Sequence, residues 1–165
     1  GLLDELQYFN SSADPDVDTP DETVSYSYDD LYRKTSMTDD RGTTDYTYDN
    51  DGRITQIDSP EGIINYEYDD LTGQRTRVTT GSPSDPENDF RYTYDSLNRL
   101  KTVEVYERND SALSTPEVTT YSYDAVGNLV RVDQANGVIT TYEYDDLYRL
   151  NILTHYEQDS MTCPP

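Results

Sequence analysis

The sequence predicts an all-β fold of consecutive antiparallel β-hairpins, laid out as a YxYD-repeat ribbon, spiral or solenoid. Three observations carry that expectation. The tetrapeptide YxYD occurs six times. Successive first tyrosines are 20, 20, 26, 29 and 21 residues apart, a period at which each unit buries its apolar face against the next. Between the tetrapeptides, strand-forming residues alternate with turn-forming ones, and no helical period appears.

Residues 1–22 do not match the repeat and read as a leader and linker, a candidate for disorder. Leu2, Leu3, Leu6, Tyr8 and Phe9 form a short apolar patch, and Asn10 to Glu22 is rich in Asp, Ser and Pro. Residues 23–156 hold six hairpin repeats. The tetrapeptides are Tyr26-Ser27-Tyr28-Asp29, Tyr46-Thr47-Tyr48-Asp49, Tyr66-Glu67-Tyr68-Asp69, Tyr92-Thr93-Tyr94-Asp95, Tyr121-Ser122-Tyr123-Asp124 and Tyr142-Glu143-Tyr144-Asp145. Period two puts both tyrosines of a pair on one face and the residue between them on the other. Each Asp stands at a strand end, where its carboxylate can accept backbone N–H groups two residues on.

The return strands are less regular. Ile54 and Ile57, Leu100 and Val103, Leu129 and Val132, and Leu150 and Leu153 are each three apart. Strict alternation would put each pair on opposite faces. Either the strand is bulged or both its faces are partly covered. Asp49-Asn50-Asp51-Gly52 and Ala125-Val126-Gly127-Asn128 have the chemistry of one set of turns. Asp40-Arg41-Gly42, Pro60-Glu61-Gly62 and Ala135-Asn136-Gly137 mark the other hairpin ends. Segments 81–89 and 108–117 read as insertions that stretch two periods, the first being too rich in Pro and Gly for a central strand. Residues 157–165 form a tail.

The full unit Tyr46-Thr47-Tyr48-Asp49-Asn50-Asp51-Gly52-Arg53-Ile54, closed by the Gly62 turn before Tyr66, resembles the YD repeat of Rhs proteins, of the shell-forming subunits of Tc toxins and of teneurins. The resemblance covers roughly residues 23–156. It implies β-hairpin ribbons that coil into a spiral or a hollow shell, and a structural or adhesive role. Only Gly52 and Gly127 stand where the family has its turn glycine. Tyr32, Asn98 and Tyr148 take that place in three repeats, and Gly73 comes one residue late, which implies a bulge or longer turn. The release segment and toxin domain of complete family members have no counterpart in this sequence.

Composition sharpens the expectation. Leu, Ile, Val and Phe number 30 of 165 residues and the net charge is -22, a balance ordinarily found in disordered chains. Seventeen tyrosines argue the other way, since an aromatic ring buries a large area while its hydroxyl stays at a wet edge. With 24 Asp and 10 Glu against 10 Arg and 2 Lys, the surface excludes nucleic-acid binding and docking to anionic lipid. No apolar stretch is long enough to insert into a membrane. The lone Cys163 has no partner for an internal disulfide. The start at Gly1-Leu2-Leu3 without Met fits a processed or excised chain. Uncapped repeats expose strand edges, so the expected partners are neighbouring repeats of a longer chain or further copies in a head-to-tail filament. A secreted or cell-surface setting suits the acidity.

For function, the primary reading is a non-catalytic structural segment: a shell wall, an adhesin scaffold or a self-assembling filament. The twelve ladder tyrosines and six aspartates are then structural. Arg53, Arg99, Arg131 and Arg149 are expected to return to carboxylates of adjacent units. The alternative is a carbohydrate-binding module, with Tyr26, Tyr28, Tyr46, Tyr48, Tyr66 and Tyr68 as a face for stacking glycans. No cofactor is expected apart from a candidate Ca²⁺ at Asp49 and Asp51, where the ligand motif is incomplete. The single His155 has no nucleophile motif beside it. Two sequons, at Asn10 and Asn109, matter only in a host that glycosylates them.

Overall fold

The computed structural model describes residues 1–9 and 20–157. Among them every regular element is a strand. In chain order these are β1 (Glu5–Tyr8), β2 (Glu22–Tyr28), β3 (Lys34–Asp39), β4 (Gly42–Tyr48), β5 (Ile54–Ser59), β6 (Gly62–Tyr68), β7 (Arg75–Ser82), β8 (Asp85–Tyr94), β9 (Leu100–Glu107), β10 (Ala112–Tyr123), β11 (Leu129–Asp133), β12 (Val138–Tyr144) and β13 (Leu150–Glu157). Sheet order equals chain order, so the expected succession of antiparallel hairpins is the fold. Two compact units divide the chain, Gly1–Glu67 with Thr79–Asp85 and Tyr68–Val78 with Pro86–Pro165.

In the first unit, β1 pairs with β2 through Glu5↔Ser25 to Tyr8↔Glu22. The leader expectation did not include this strand. The linker residues 10–19 lie outside the described residues, as do the C-terminal residues 158–165 with Cys163 and the Asn10 sequon. From β2 to β6 each strand pairs with the next. The tight turn between β3 and β4 closes at Asp39↔Gly42, and the one between β5 and β6 at Ser59↔Gly62. Gly42 has φ +135°, and a Cβ there would meet Cγ of Pro60 in the next turn at 2.9 Å. Close approach of neighbouring turns therefore requires glycine at that position.

The second unit runs from β8 to β13 by the same pairing. The two stretched periods are not loops. They lengthen hairpins: β7 runs on to Ser82, β8 begins at Asp85, and β10 has 12 residues. Pro116 is accommodated because the ladder breaks where it sits. The register jumps between Ala112↔Glu107 and Glu117↔Val105, so no strand partner there needs its missing N–H. Asn109 of the second sequon is exposed, as its place in an insertion implied.

The spacing of three in the return strands has one cause. Tyr48 opposes Ile54 while Thr47 opposes Gln56, leaving Thr55 as an extra residue. The same bulge recurs at Tyr28, Tyr94, Tyr123 and Tyr144. One added residue reverses the alternation. Ile54 and Ile57 thus face the same side as Tyr48 and Tyr46, their cross-strand partners. Tyr92↔Val103 with Tyr94↔Leu100, and Tyr121↔Val132 with Tyr123↔Leu129, repeat the arrangement. The result is one tyrosine-aliphatic face, stabilised by cross-strand aromatic–aliphatic pairs. It is a thin core. All twelve ladder tyrosines are half-buried, and among the described residues the buried apolar ones are Val24, Val105, Val132 and Ile139.

Candidate functional site

Each YxYD ends in a turn that the aspartate organises. In the first repeat, one Asp29 carboxylate oxygen accepts the backbone N–H groups of Leu31 and Arg33, both at 2.9 Å. Its second oxygen accepts Nε of Arg33 at 2.7 Å. Asp29 N donates to Arg33 O, and Tyr32 N donates to Asp29 O, giving a tight loop with its last residue in the left-handed region. Asp49 with Arg53, Asp95 with Arg99 and Asp145 with Arg149 repeat the clamp. At Asp124 the partner is Asn128, through backbone N–H and Nδ2. At Asp69 the loop is one residue longer, with Gly73 N donating to Asp69 O, as the late glycine implied.

The arginines correct one expectation. Arg99 and Arg149 bind the carboxylate of their own turn, four residues back, and not that of an adjacent unit; Arg53 pairs with Asp49 of its own turn in the same way. Arg131 lies outside this pattern and pairs with Asp133. Arg33, which sequence reasoning passed over, is a full member. The geometric reason is length: a bulged hairpin brings the guanidinium back onto the Asp that nucleates its turn. The contact to the next unit uses other atoms. Nη1 of Arg33 lies 3.4 Å from the backbone oxygen of Asp49, and its guanidinium lies 4.6 Å from the ring centroid of Tyr48. Arg99 does the same to Asp124 O, at 3.3 Å, and Tyr123, at 4.6 Å.

A second fastening joins hairpins. The hydroxyl of the second tyrosine donates to a backbone carbonyl of an earlier hairpin. Tyr28 reaches Leu3 O at 2.9 Å, Tyr48 reaches Lys34 O at 2.7 Å, and Tyr94 reaches Arg75 O at 2.8 Å. Tyr123 reaches Leu100 O at 2.9 Å, and Tyr144 reaches Leu129 O at 2.8 Å. Three of the first tyrosines carry a cation over the ring: Lys34 lies 5.9 Å from the centroid of Tyr26 and 4.3 Å from that of Tyr46, and Arg75 lies 5.0 Å from that of Tyr92.

The electrostatics follow. Backbone N–H donation from Arg33 lowers the Asp29 carboxyl below its usual range, and Arg99 acts likewise on Asp95. At Asp145 the Arg149 side chain leads. At Asp49 desolvation pushes upward, but the backbone and guanidinium of Arg53 outweigh it. Asp89, 3% exposed, is also desolvated, yet bonds from Arg77 and Arg91 at 2.9 Å hold it low.

These contacts bear on the other candidates. Asp49 and Asp51 both pair with Arg53, at 2.7 and 3.1 Å, so Ca²⁺ there would have to displace a guanidinium. No cluster of three metal-ligating side chains occurs among the described residues. Of the glycan-stacking candidates Tyr26, Tyr28, Tyr46, Tyr48, Tyr66 and Tyr68, all are half-buried. The Tyr28 and Tyr48 hydroxyls are committed to carbonyls, and the Tyr46 and Tyr48 rings carry cations. His155 is exposed, with Nδ1 2.8 Å from Oγ1 of Thr140.

Residues 35–64 and 123–159 match the family model described as RHS Repeat. Solved structures share the fold. "TcdB2-TccC3-TEV" has a TM-score of 0.61 at 23% identity, over 78% of this chain and 7% of the other. "TcdB2-TccC3 without hypervariable C-terminal region" has 0.61 at 20% identity, with the same coverages. The Photorhabdus luminescens Tc holotoxin pore has 0.59 at 18% identity, over 84% of this chain and 9% of the other. The chain thus spans under a tenth of the length of these chains. No curated protein is matched in sequence.

Proposed function

We propose that this chain, two segments of which match the RHS Repeat model, is a structural repeat segment: a length of wall in a much longer secreted or cell-surface protein, without catalysis of its own. The observation that carries this is the recurrent fastening. Each described tyrosine latch joins one hairpin to an earlier one through backbone atoms, which any further repeat can continue. Such a design extends by repetition and devotes its polar groups to the wall itself. The Asp-rich, Lys-poor surface supports an extracellular setting.

An antibody raised against residues 35–64 tests the reading on the native source. It should recover, from outside the cytoplasm, a chain many times longer than 18.9 kDa. Recovery of a cytoplasmic species near that mass would overturn the wall assignment.

A further inference from the structure

Four repeats keep an arginine after the turn, Arg33, Arg53, Arg99 and Arg149, and two replace it, with Gln74 and Asn128; beside Gln74 a cleft lies in its place. Arg33 and Arg99 each lay a guanidinium 4.6 Å from the ring centroid of the next hairpin's second tyrosine, Tyr48 and Tyr123, and reach the backbone oxygen of the following Asp. In the third repeat that position holds Gln74. Its Nε2 turns aside to the backbone oxygen of Asn98, at 2.9 Å. Tyr94 is the counterpart of Tyr48 and Tyr123: its hydroxyl latches Arg75 O as theirs latch Lys34 O and Leu100 O. Among the described residues no cation stands over its ring. The neighbouring ring, Tyr92, keeps its cation, Arg75, as Tyr46 keeps Lys34. A cleft of about 350 Å³ opens there, lined by Asp69, Gln74, Tyr92, Tyr94, Asp95 and Asn98. That volume lies at the small end of the range of about 300–1,000 Å³ for ligand pockets.

We propose that this cleft binds a guanidinium group, supplied by an arginine side chain of a partner protein. The chain's own arginines define the mode: the plane stacks on Tyr94 and an N–H reaches the Asp95 carbonyl. Asp95 O already accepts Asn98 N. The equivalent Asp49 O accepts Gly52 N and Arg33 Nη1 together, so one carbonyl serves both donors. A planar, multiply donating cation suits this place better than an ammonium. The net charge of -22 raises the local concentration of any cation.

The test uses the whole chain with ¹³C-labelled tyrosine rings. N-acetyl-arginine methylamide should give saturable shifts confined to Tyr92 and Tyr94. The lysine analogue should bind more weakly, and the neutral, near-isosteric citrulline analogue should give none. Gln74→Arg, which supplies the guanidinium within the chain, should abolish the shifts and raise Tm. Gln74→Glu should lower the concentration for half-saturation. Non-saturable shifts spread over all tyrosines, equal response to citrulline, or unchanged affinity in Gln74→Glu would overturn the proposal, including where Gln74→Arg fails to fold.

Discussion

Replacing Tyr32 by glycine should stabilise the protein. Tyr32 has φ +62° and is 75% exposed. The left-handed conformation costs an L residue roughly 1–2 kcal/mol, while glycine gives up roughly 0.5–1 kcal/mol of chain entropy on folding. Little burial is lost with so exposed a ring. The net gain is therefore about 0–1.5 kcal/mol, or a rise in Tm of up to about 6 °C for a chain of this size. Urea melts read it directly, with an unchanged slope showing that the unfolded state is the same. Tyr148, at φ +58°, should respond alike. Asn98, at φ +62°, should gain less on change to glycine, since asparagine tolerates this region. A destabilising Tyr32→Gly, with the slope unchanged, would refute the turn argument.

Tyr48→Phe and Tyr123→Phe remove a latch hydroxyl and keep the ring, so each should lose about 1 kcal/mol in the same melts; no loss would make the latch an incidental contact. Asp29, Asp49, Asp95, Asp124 and Asp145 all have folded pKa values below 3.8. Their contribution is present above the unfolded value and lost as pH falls through the folded ones. Tm should hold on acidification from neutral, as protonation also relieves self-repulsion, and then fall below pH 3.8; a decline already at about pH 5 would contradict this. Leu71, in the longer turn, is 96% exposed, so Leu71→Asp should change stability by no more than about 0.5 kcal/mol.

Much of this fold is legible in the sequence because its signals are local. A period of 20 residues, YxY alternation and Asp-initiated turns define hairpins within a few residues of each other. The third-residue spacing of Ile54 and Ile57 signalled the bulge but left two readings open, because one added residue is visible only in the register against Tyr48. The partner of Arg99 was misassigned for the same reason, since where the bulge puts the guanidinium decides which Asp it meets. The latches from Tyr48 to Lys34 O and from Tyr123 to Leu100 O leave no sequence signal, because a backbone carbonyl has none. Nor did composition reveal that 81–89 and 108–117 lengthen hairpins. Proline and glycine argued against a central strand at residues 81–86, yet β8 takes in Pro86, and the break that tolerates Pro116 is a property of pairing. Tyr32 and Tyr148 were legible as departures from glycine, and their positive φ makes them a source of strain.

The claim that these hairpins form a modular wall is tested most directly by removing one whole unit. Deleting residues 46–65, one period of 20 residues, joins Asp45 to Tyr66 with the repeat in register. The shortened chain should keep its β circular dichroism and unfold cooperatively, with a urea slope lower by about one-eighth, in proportion to the surface removed. Collapse of the β signal, or a chain that no longer folds, would show one indivisible core and contradict the account.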